Sequence, residues 1–260
     1  MEVPPVFVIN LARDTARRDH MRAALGRVGL DGEFVAAVDG RTLTPADRAM
    51  VDQARTKLVY GNDLLDNEIG CYLSHYRLWQ RMIDQNIEVA LILEDDLEIS
   101  PDLPALVGEL LADPDPPWLV VRLDSLRTQL HTPPSRRFTG RPVRQLAHGT
   151  LFQLDVHVLG LGAYLIRREA ARRMLAHGRR IFMPIDQTMD RFWENGLVPF
   201  IVRPFPVRQR ADLASRIGAR PAGRHRGLSP AWRLRRRLQR VRDSLAKRLF
   251  TWRLFLSRRS

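Results

Sequence analysis

The feature that most constrains the fold is an apolar run that ends on three consecutive carboxylates. Residues 89–93 (VALIL) have the length and composition of a buried strand, and Glu94, Asp95 and Asp96 follow directly. Adjacent carboxylates repel one another, so water, an arginine or a bound cation has to compensate them. The chain therefore needs a fold in which a buried strand ends at an edge that is open to solvent or to a ligand.

Apolar strand-like segments alternate with helix-like segments along the chain, which predicts an α/β layered fold. The clearest helix spans 67–86, where large apolar side chains share one face. Other helices are predicted at 13–29, 44–54, 167–178 and 184–196. Strands are predicted at 4–12, 33–43, 116–125 and 197–204, with one or two more at 155–166. The basic, proline-containing stretch 127–150 is interpreted as a loop or hairpin.

The sequence contains none of the common glycine-rich phosphate-binding loops. No G-x-x-x-x-G-K-[S/T] sequence occurs, and the GLG at 160–162 lacks the third glycine of the dinucleotide fingerprint. Phosphate would have to be held in another way.

A metal ion bound by the acidic cluster could hold phosphate instead. Ligands bind to open α/β sheets beyond the carboxyl ends of the strands, and oxygen ligands suit Mg²⁺ or Mn²⁺. Because side chains alternate along an extended segment, Glu94 and Asp96 are expected to point one way as metal ligands. Asp95 is expected to point the other way, as a hydrogen-bonding group or an alternate ligand. A solvated turn or the start of a helix is the simpler alternative.

Charge is distributed unevenly along the 260 residues. The net charge is +13, yet residues 203–260 hold 18 Lys and Arg against 2 Asp and Glu, and the remainder holds 24 against 27. The single cysteine, Cys71, excludes an intrachain disulfide, and no Asn-x-Ser/Thr acceptor occurs. We find neither a signal-peptide pattern nor an apolar stretch near the roughly 18 residues of a membrane span. These features fit a cytoplasmic protein.

The basic tail has the pattern of an amphipathic helix. Its apolar residues recur every three or four positions, with arginines between them. This pattern predicts a helix at the surface of an anionic membrane, so the chain would divide into a domain at 1–217 and a tail at 218–260. A helix packed on its own domain or on a second copy, and binding to nucleic acid, are the alternatives. The apolar positions are Leu234, Leu238, Val241, Leu245, Leu249, Trp252 and Leu256.

Several blocks of the sequence, taken in order, resemble glycosyltransferase family 25. They are FVINLARDTARRDHM, NEIGCYLSHYRLW, LILEDDLEI, GAYLIRREAARRML, MPIDQTMDRFW and PFPVRQRADLASRI, and they span about 5–217. The resemblance implies a GT-A-like nucleotide-sugar-binding fold with a mixed central sheet. It also implies transfer of a hexose, with galactose preferred, from a UDP-sugar with inversion of configuration.

The resemblance suggests roles for residues near the nucleotide. Asn10 and Arg17 are expected beside it, although Asn10 could instead cap a helix and Arg17 could be solvated. Ser74 and His75 are expected either to face the donor or to make structural hydrogen bonds. Glu68, Cys71 and His75 share one flank of the predicted helix and are ligand types for zinc. No fourth ligand is evident there, and zinc is not predicted.

Two carboxylates compete for the role of general base. Asp186 resembles the second acidic block of the family and could take the proton of the acceptor hydroxyl. Its simpler role is to stabilise a helix N-terminus. Asp124 is the rival base, and direct displacement with inversion requires no covalent nucleophile.

The sequence thus predicts a transferase at the cytoplasmic face of a membrane, acting on a saccharide of lipopolysaccharide or a related glycolipid. Its expected partners are a UDP-sugar, Mn²⁺ or Mg²⁺, a glycan or glycolipid acceptor and an anionic membrane surface. A metal-dependent phosphotransferase for nucleic acid is the alternative, but the slightly acidic body disfavours it, and nucleic acid is not an expected partner. A non-catalytic scaffold with a degraded site is the third hypothesis.

Overall fold

The computed structural model describes residues 3–125, 140–210 and 229–256. They form an α/β fold with a mixed central sheet and a C-terminal helix, which confirms the predicted fold class. The strands are β1 Val6–Asn10, β2 Glu33–Ala36, β3 Val89–Glu94, β4 Leu97–Ile99, β5 Val120–Arg122, β6 Gly140–Leu146, β7 Gly149–Leu154, β8 Ala163–Arg167, β9 Phe200–Arg203 and β10 Val207–Gln209. The helices are α1 Thr15–Arg27, α2 Pro45–Ala49, α3 Gln53–Arg55, α4 Asp66–Asp84, α5 Leu103–Leu111, α6 Arg168–His177, α7 Ile185–Met189, α8 Phe192–Asn195 and α9 Pro230–Leu256, and a π-helical turn covers Thr56–Tyr60.

The central sheet has the strand order β2-β1-β3-β8-β5-β9-β7-β6. Strand β1 runs parallel to β2 and β3, whereas β8 runs antiparallel to its neighbours β3 and β5. Ile9 pairs with Glu94, so the carboxyl ends of β1 and β3 meet at one edge of the sheet. Strands β4 and β10 form a separate antiparallel pair, and β4 follows β3 after only Asp95 and Asp96.

Both faces of the sheet are covered by helices. Leu91 and Leu93 of β3 pack into a core with α1 and α5, and Ala90 and Ile92 pack into a second core with α4 and α6. This alternation explains why β3 reads as a continuous apolar run, since a strand buried on both faces has no polar side. The first polar side chains after the run consequently appear where the strand leaves the core.

Several element predictions need correction. Only Ala163–Arg167 of the segment 155–166 is a strand; Leu159 and Gly160 before it have φ values of 59° and 78°, which interrupt extended structure. The helix predicted at 184–196 is broken into α7 and α8 between Met189 and Phe192. The strand predicted at 33–43 ends at Ala36. Strands β4 and β10 were not predicted.

Two predictions reach beyond the described residues. Part of the stretch 127–150 lies outside them, and from Gly140 onward this stretch belongs to the antiparallel hairpin of β6 and β7. The boundary at 217/218 also lies outside them and stays a prediction. Among the helices that the structure describes, none is both long and apolar enough to cross a bilayer.

Helix α9 packs on the domain through the face that carries Arg236, Asp243 and Phe250. Arg236 donates a 2.7 Å hydrogen bond to the Tyr60 carbonyl, Asp243 accepts one of 2.8 Å from Arg191, and Phe250 packs against Phe192. The predicted apolar positions lie on the other side of the helix, because two residues, or about 200° of rotation, separate them from these contact residues. Their side chains are 43–59% exposed. The helix therefore rests on its own domain, as one alternative held, but by the face opposite to its apolar stripe.

Candidate functional site

A pocket lies at the edge where β1 and β3 end. Its walls come from the segment after β1, the segment after β2, helix α4, the turn after β3 and strand β10. The structure thus brings together residues that the sequence separates by up to 200 positions. Six residues predicted for the site line this pocket: Arg17, Ser74, His75, Glu94, Asp95 and Asp96.

Asp95 is held by two residues from the start of the chain. Its Oδ2 accepts a hydrogen bond of 2.7 Å from Asn10 Nδ2, and its Oδ1 lies 2.9 Å from Arg17 Nη1. Asn10 is 1% exposed and is not the N-cap of α1, which is Asp14. Arg17 is buried rather than solvated, so the simpler alternatives for both residues are wrong. Asn10 and Arg17 thus stabilise the negative charge of Asp95.

Asp96 is only partly compensated. Its Oδ2 accepts a hydrogen bond of 2.8 Å from Gln209 and lies 3.6 Å from Arg17 Nη1, whereas its buried Oδ1 has no hydrogen-bond partner. Burial, reinforced by repulsion from Glu94, raises the pKa of Asp96 to about 6. A buried carboxylate oxygen without a partner is costly, and a cation would satisfy it.

Glu94 points towards helix α4. Its Oε1 lies 3.4 Å from His75 Nε2 and 3.9 Å from Cys71 Sγ. Desolvation, followed by repulsion from Asp95 and Asp186, raises the pKa of Glu94 to about 7. The expected alternation of side chains does not continue past Glu94, because β3 ends there and Arg17 contacts both aspartates.

Helix α4 approaches the segment after β2 very closely at Gly70. A Cβ at this position would lie 2.6 Å from the Val38 carbonyl oxygen, so a larger residue would push the helix away. The close approach lets Ser74 Oγ accept a 2.8 Å hydrogen bond from the Val38 N–H while it donates to the Gly70 carbonyl. The glycine and the serine of the GCYLSH block thus hold the wall of the pocket in place.

His75 is buried and connected to the core. Its Nδ1 lies 2.8 Å from the Tyr164 hydroxyl, which accepts a hydrogen bond from Trp79 Nε1. Burial, with the charge of Arg122, lowers the pKa of His75 to about 3. Burial also raises the pKa of the Cys71 thiol well above its ordinary value. Both side chains are therefore neutral at pH 7.

The two proposed bases are not among the residues that line the pocket. Asp124 is 4% exposed, and its Oδ1 accepts a hydrogen bond of 3.0 Å from the Ala163 N–H. Burial raises the pKa of Asp124 to about 7. Asp186 Oδ2 accepts from the Gly160 N–H at 3.1 Å, and burial raises its pKa as well. Both are electrostatically coupled to Glu94, so they belong to the same acidic region.

Sequence reasoning missed two residues of this region. Gln209 reaches Asp96 from β10, 113 positions away, and nothing in its local sequence indicates that contact. Arg122 is 2% exposed, and its Nε and Nη2 have no hydrogen-bond partner. Its charge opposes the effect of burial on the pKa values of Asp124 and Asp186. An arginine inside an apolar strand, two positions before an aspartate, is the one signal that could have found it.

The residues of the pocket fit a hard divalent cation. Glu94 and Asp96 offer carboxylate oxygens, and Oδ1 of Asp96 is buried without a partner. Both carboxyls have raised pKa values because burial desolvates them and because neighbouring carboxylates repel their charge. Mg²⁺ and Mn²⁺ bind preferentially to such oxygens.

Comparison with protein families assigns the class of this domain. A family model described as "Glycosyltransferase family 25 (LPS biosynthesis protein)" matches residues 3–189. The chain therefore belongs to glycosyltransferase family 25, which confirms the resemblance of its sequence blocks. It carries a glycosyltransferase domain.

Several individual proteins are similar to parts of this chain. "Procollagen galactosyltransferase 1" of Danio rerio is 24% identical over 214 residues, which cover 78% of this chain and 33% of that protein. "Probable inactive glycosyltransferase 25 family member 3" of Bos taurus is 28% identical over 215 residues, covering 76% and 35%. A "Glycosyltransferase 25 family member" of Aedes aegypti is 38% identical over 120 residues, covering 44% and 19%. The matches thus span about a third or less of these relatives.

A solved structure described as a glycosyltransferase involved in the glycosylation of the major capsid of PBCV-1 was also matched. It is 9% identical, with a TM-score of 0.33, and the match covers 67% of this chain and 65% of that one. This similarity is too low to add to the family assignment.

Proposed function

We propose that this domain transfers a hexose, preferably galactose, from a UDP-sugar to a saccharide acceptor with inversion of configuration. The observation that carries the proposal is the set of three carboxylates at the end of β3, which line a pocket together with Arg17 in a family 25 domain. The galactose preference is taken from the names of relatives such as the Danio rerio protein. The acceptor class, a lipopolysaccharide or related glycolipid, follows from the sequence hypothesis and the description of the family model.

The binding roles follow from the contacts within the pocket. Glu94 and Asp96 would hold Mn²⁺ or Mg²⁺, which, when bound, neutralises the diphosphate leaving group. Asp95 is already engaged by Asn10 and Arg17, so it orients Arg17 rather than binding a ligand itself. We expect the Arg17 guanidinium, which lines the pocket, to contact the phosphates. Ser74 and His75 shape the wall that faces the sugar nucleotide.

Either Asp186 or Asp124 would accept the proton of the attacking hydroxyl. A base that works near neutral pH needs a pKa close to that range, and burial raises the pKa of Asp124 to about 7. Asp186 is half-buried and thus more accessible to an acceptor, and its pKa is raised by burial and by Asp190. The acceptor oxygen attacks the anomeric carbon opposite to the departing diphosphate, so a single base is sufficient.

The exposed stripe of α9 supports attachment to an anionic membrane on the cytoplasmic side. Eight large apolar side chains of the helix are 43–59% exposed, and the helix is rich in arginine. An apolar stripe bordered by cations is the pattern of an interfacial helix, and each basic residue near anionic lipid contributes about 1 kcal/mol. Because Arg191, just after α7, contacts Asp243, a helix on the membrane would keep the acidic region close to a lipid-linked acceptor.

The transfer proposal is tested by UDP-hexose hydrolysis and by calorimetry with UDP, each with and without Mn²⁺. Asp96→Asn is expected to weaken Mn²⁺-dependent UDP binding at least tenfold, and the surface variant Asp63→Asn should match the wild type. If the wild type neither binds nor turns over any UDP-hexose, the transferase proposal fails. Binding without turnover would favour the scaffold, a result that the name of the bovine relative makes worth testing.

The membrane proposal is tested by co-sedimentation with phosphatidylglycerol vesicles. Leu245→Glu is expected to reduce binding severalfold. Ser244→Glu adds the same charge next to the apolar stripe and should have a much smaller effect. Equal losses in both variants, or equal binding to neutral vesicles, would contradict an interfacial helix.

A further inference from the structure

We propose that Cys71, His75 and Glu94 form a binding site for a borderline-soft divalent cation of the zinc class. The sequence pattern groups Cys71 and His75 with Glu68. In the structure, the third residue of the group is Glu94 instead of Glu68. Glu68 is used at the start of α4, where its Oε2 accepts a 2.9 Å hydrogen bond from the Leu65 N–H. Glu94 enters from the end of β3 instead. One ligand atom from each of Cys71, His75 and Glu94 falls within 4.8 Å of the others.

The distances match those around a tetrahedral zinc ion. Zinc binds nitrogen and oxygen at about 2.0–2.2 Å and sulfur at about 2.3 Å, so ligand atoms should be about 3.4 Å (N to O) and 3.6 Å (S to O) apart. The observed distances from Glu94 Oε1 are 3.4 Å to His75 Nε2 and 3.9 Å to Cys71 Sγ. A small movement of the Cys71 side chain would complete the geometry.

The imidazole is already oriented for this role. Metal-binding histidines usually have their second ring nitrogen fixed by a hydrogen bond, and here the Tyr164 hydroxyl lies 2.8 Å from His75 Nδ1. Trp79 in turn donates to Tyr164 at 3.1 Å, so the ring cannot easily rotate. The neutral imidazole needs to lose no proton before it binds. The thiol exchanges its proton for the cation, and that proton passes to solvent.

The donor set selects the class of ion. Thiolate and imidazole favour zinc over Mg²⁺ or Mn²⁺, which prefer carboxylate and phosphate oxygens. Three protein ligands leave the fourth position of a tetrahedral ion for water or for a substrate oxygen, and all three residues line the pocket. Glu94 would be shared with the hard cation of the proposed function. Zinc is therefore expected to inhibit Mn²⁺-dependent turnover, and this corollary alone rests on the proposed function.

Cobalt titration of the metal-free 260-residue chain tests the site without any substrate. Co²⁺ replaces zinc in such sites, and a bound thiolate gives a charge-transfer absorption in the near ultraviolet. Since the chain has one cysteine, that absorption reports on Cys71 alone. The wild type is expected to bind one cobalt ion with this absorption, which added zinc abolishes and added Mg²⁺ does not.

Three variants decide the ligand assignment. Cys71→Ser, nearly isosteric, should lose the absorption. Glu94→Gln removes a direct ligand and should bind cobalt at least about 10-fold more weakly, since loss of a group that only supports a ligand already costs about 10–100-fold. Asp63→Asn, an exposed carboxylate outside the pocket, should behave like the wild type.

The site is refuted if the wild type shows no thiolate absorption, or if Glu94→Gln binds cobalt as tightly as the wild type. Thermal unfolding of each metal-free variant verifies that it is folded. Because no nucleotide is present, failure of this site is distinct from failure of UDP-hexose binding.

Discussion

Arg17 and Asp95 form a buried salt bridge between residues that lie 78 positions apart in the sequence. Arg17 Nη1 lies 2.9 Å from Asp95 Oδ1, and the two side chains are 9% and 12% exposed. The same nitrogen lies 3.6 Å from Asp96 Oδ2. The compensation that three adjacent carboxylates require therefore comes in part from the first helix of the chain.

Replacement of Arg17 by methionine is expected to destabilise the domain by about 3 kcal/mol, because it leaves buried carboxylates uncompensated. Urea unfolding at neutral pH measures the change. Arg22→Met is the matched control, since Arg22 forms an exposed ion pair with Asp19 that is worth at most about 1 kcal/mol. Equal losses in the two variants would show that Arg17 carries no special electrostatic role.

Asp124 is expected to make stability depend on pH. Its pKa is about 7 in the folded protein but about 3.9 in an unfolded chain, so its stabilising contribution is complete below about pH 4 and is lost as the pH rises through 7. Asp124→Asn keeps an oxygen acceptor for the Ala163 N–H and removes the charge. Between about pH 4 and pH 8, its unfolding free energy should gain on the order of 4 kcal/mol relative to the wild type.

Urea unfolding of both proteins across this pH range measures the effect. Asp63→Asn, an exposed site, serves as the control. Parallel pH profiles for Asp124→Asn and the wild type would contradict the raised pKa of Asp124.

Gly70→Ala is expected to destabilise the protein by about 1–3 kcal/mol, because the new Cβ would lie 2.6 Å from the Val38 carbonyl and backbone cannot yield easily. Thermal unfolding measures the change. Gly26→Ala in α1 is the matched control: its Cβ would meet nothing within 4 Å, and alanine there should stabilise the helix by about 0.5–1 kcal/mol. A stabilising Gly70→Ala variant would mean that α4 has room to move.

Asp243→Ala is expected to loosen α9 from the domain, since Asp243 accepts a hydrogen bond from the nearly buried Arg191. Loss of such a charged hydrogen bond costs about 2 kcal/mol. Amide hydrogen exchange should become faster in 230–256 and stay unchanged in the central sheet. Arg242→Ala, exposed on the same helix, is the control and should leave exchange unaltered. Unchanged exchange in Asp243→Ala would mean that other contacts hold the helix.

Elements with a strong local pattern could be predicted from the sequence. Helix α4 and strand β3 were found within one or two residues because their apolar spacing is unambiguous. The segment 155–162 was misread as strand, because apolar residues also line its irregular path, where carboxylates of Asp186 and Asp190 hold the backbone of Gly160 and Leu159. The local sequence of 155–162 does not indicate that Asp186 and Asp190 bind its backbone.

The sequence by itself determined that strand β3 ends in three carboxylates, that α4 carries Cys71 and His75 one turn apart, and that the tail is amphipathic. Only the tertiary structure decided which partner each carboxylate receives: Arg17 for Asp95, Gln209 for Asp96, and Cys71 with His75 for Glu94. Periodicity is a local property that a chain shows in its residue order. Partners across the sheet depend instead on strand order and on where each strand leaves the core, and packing alone fixes these.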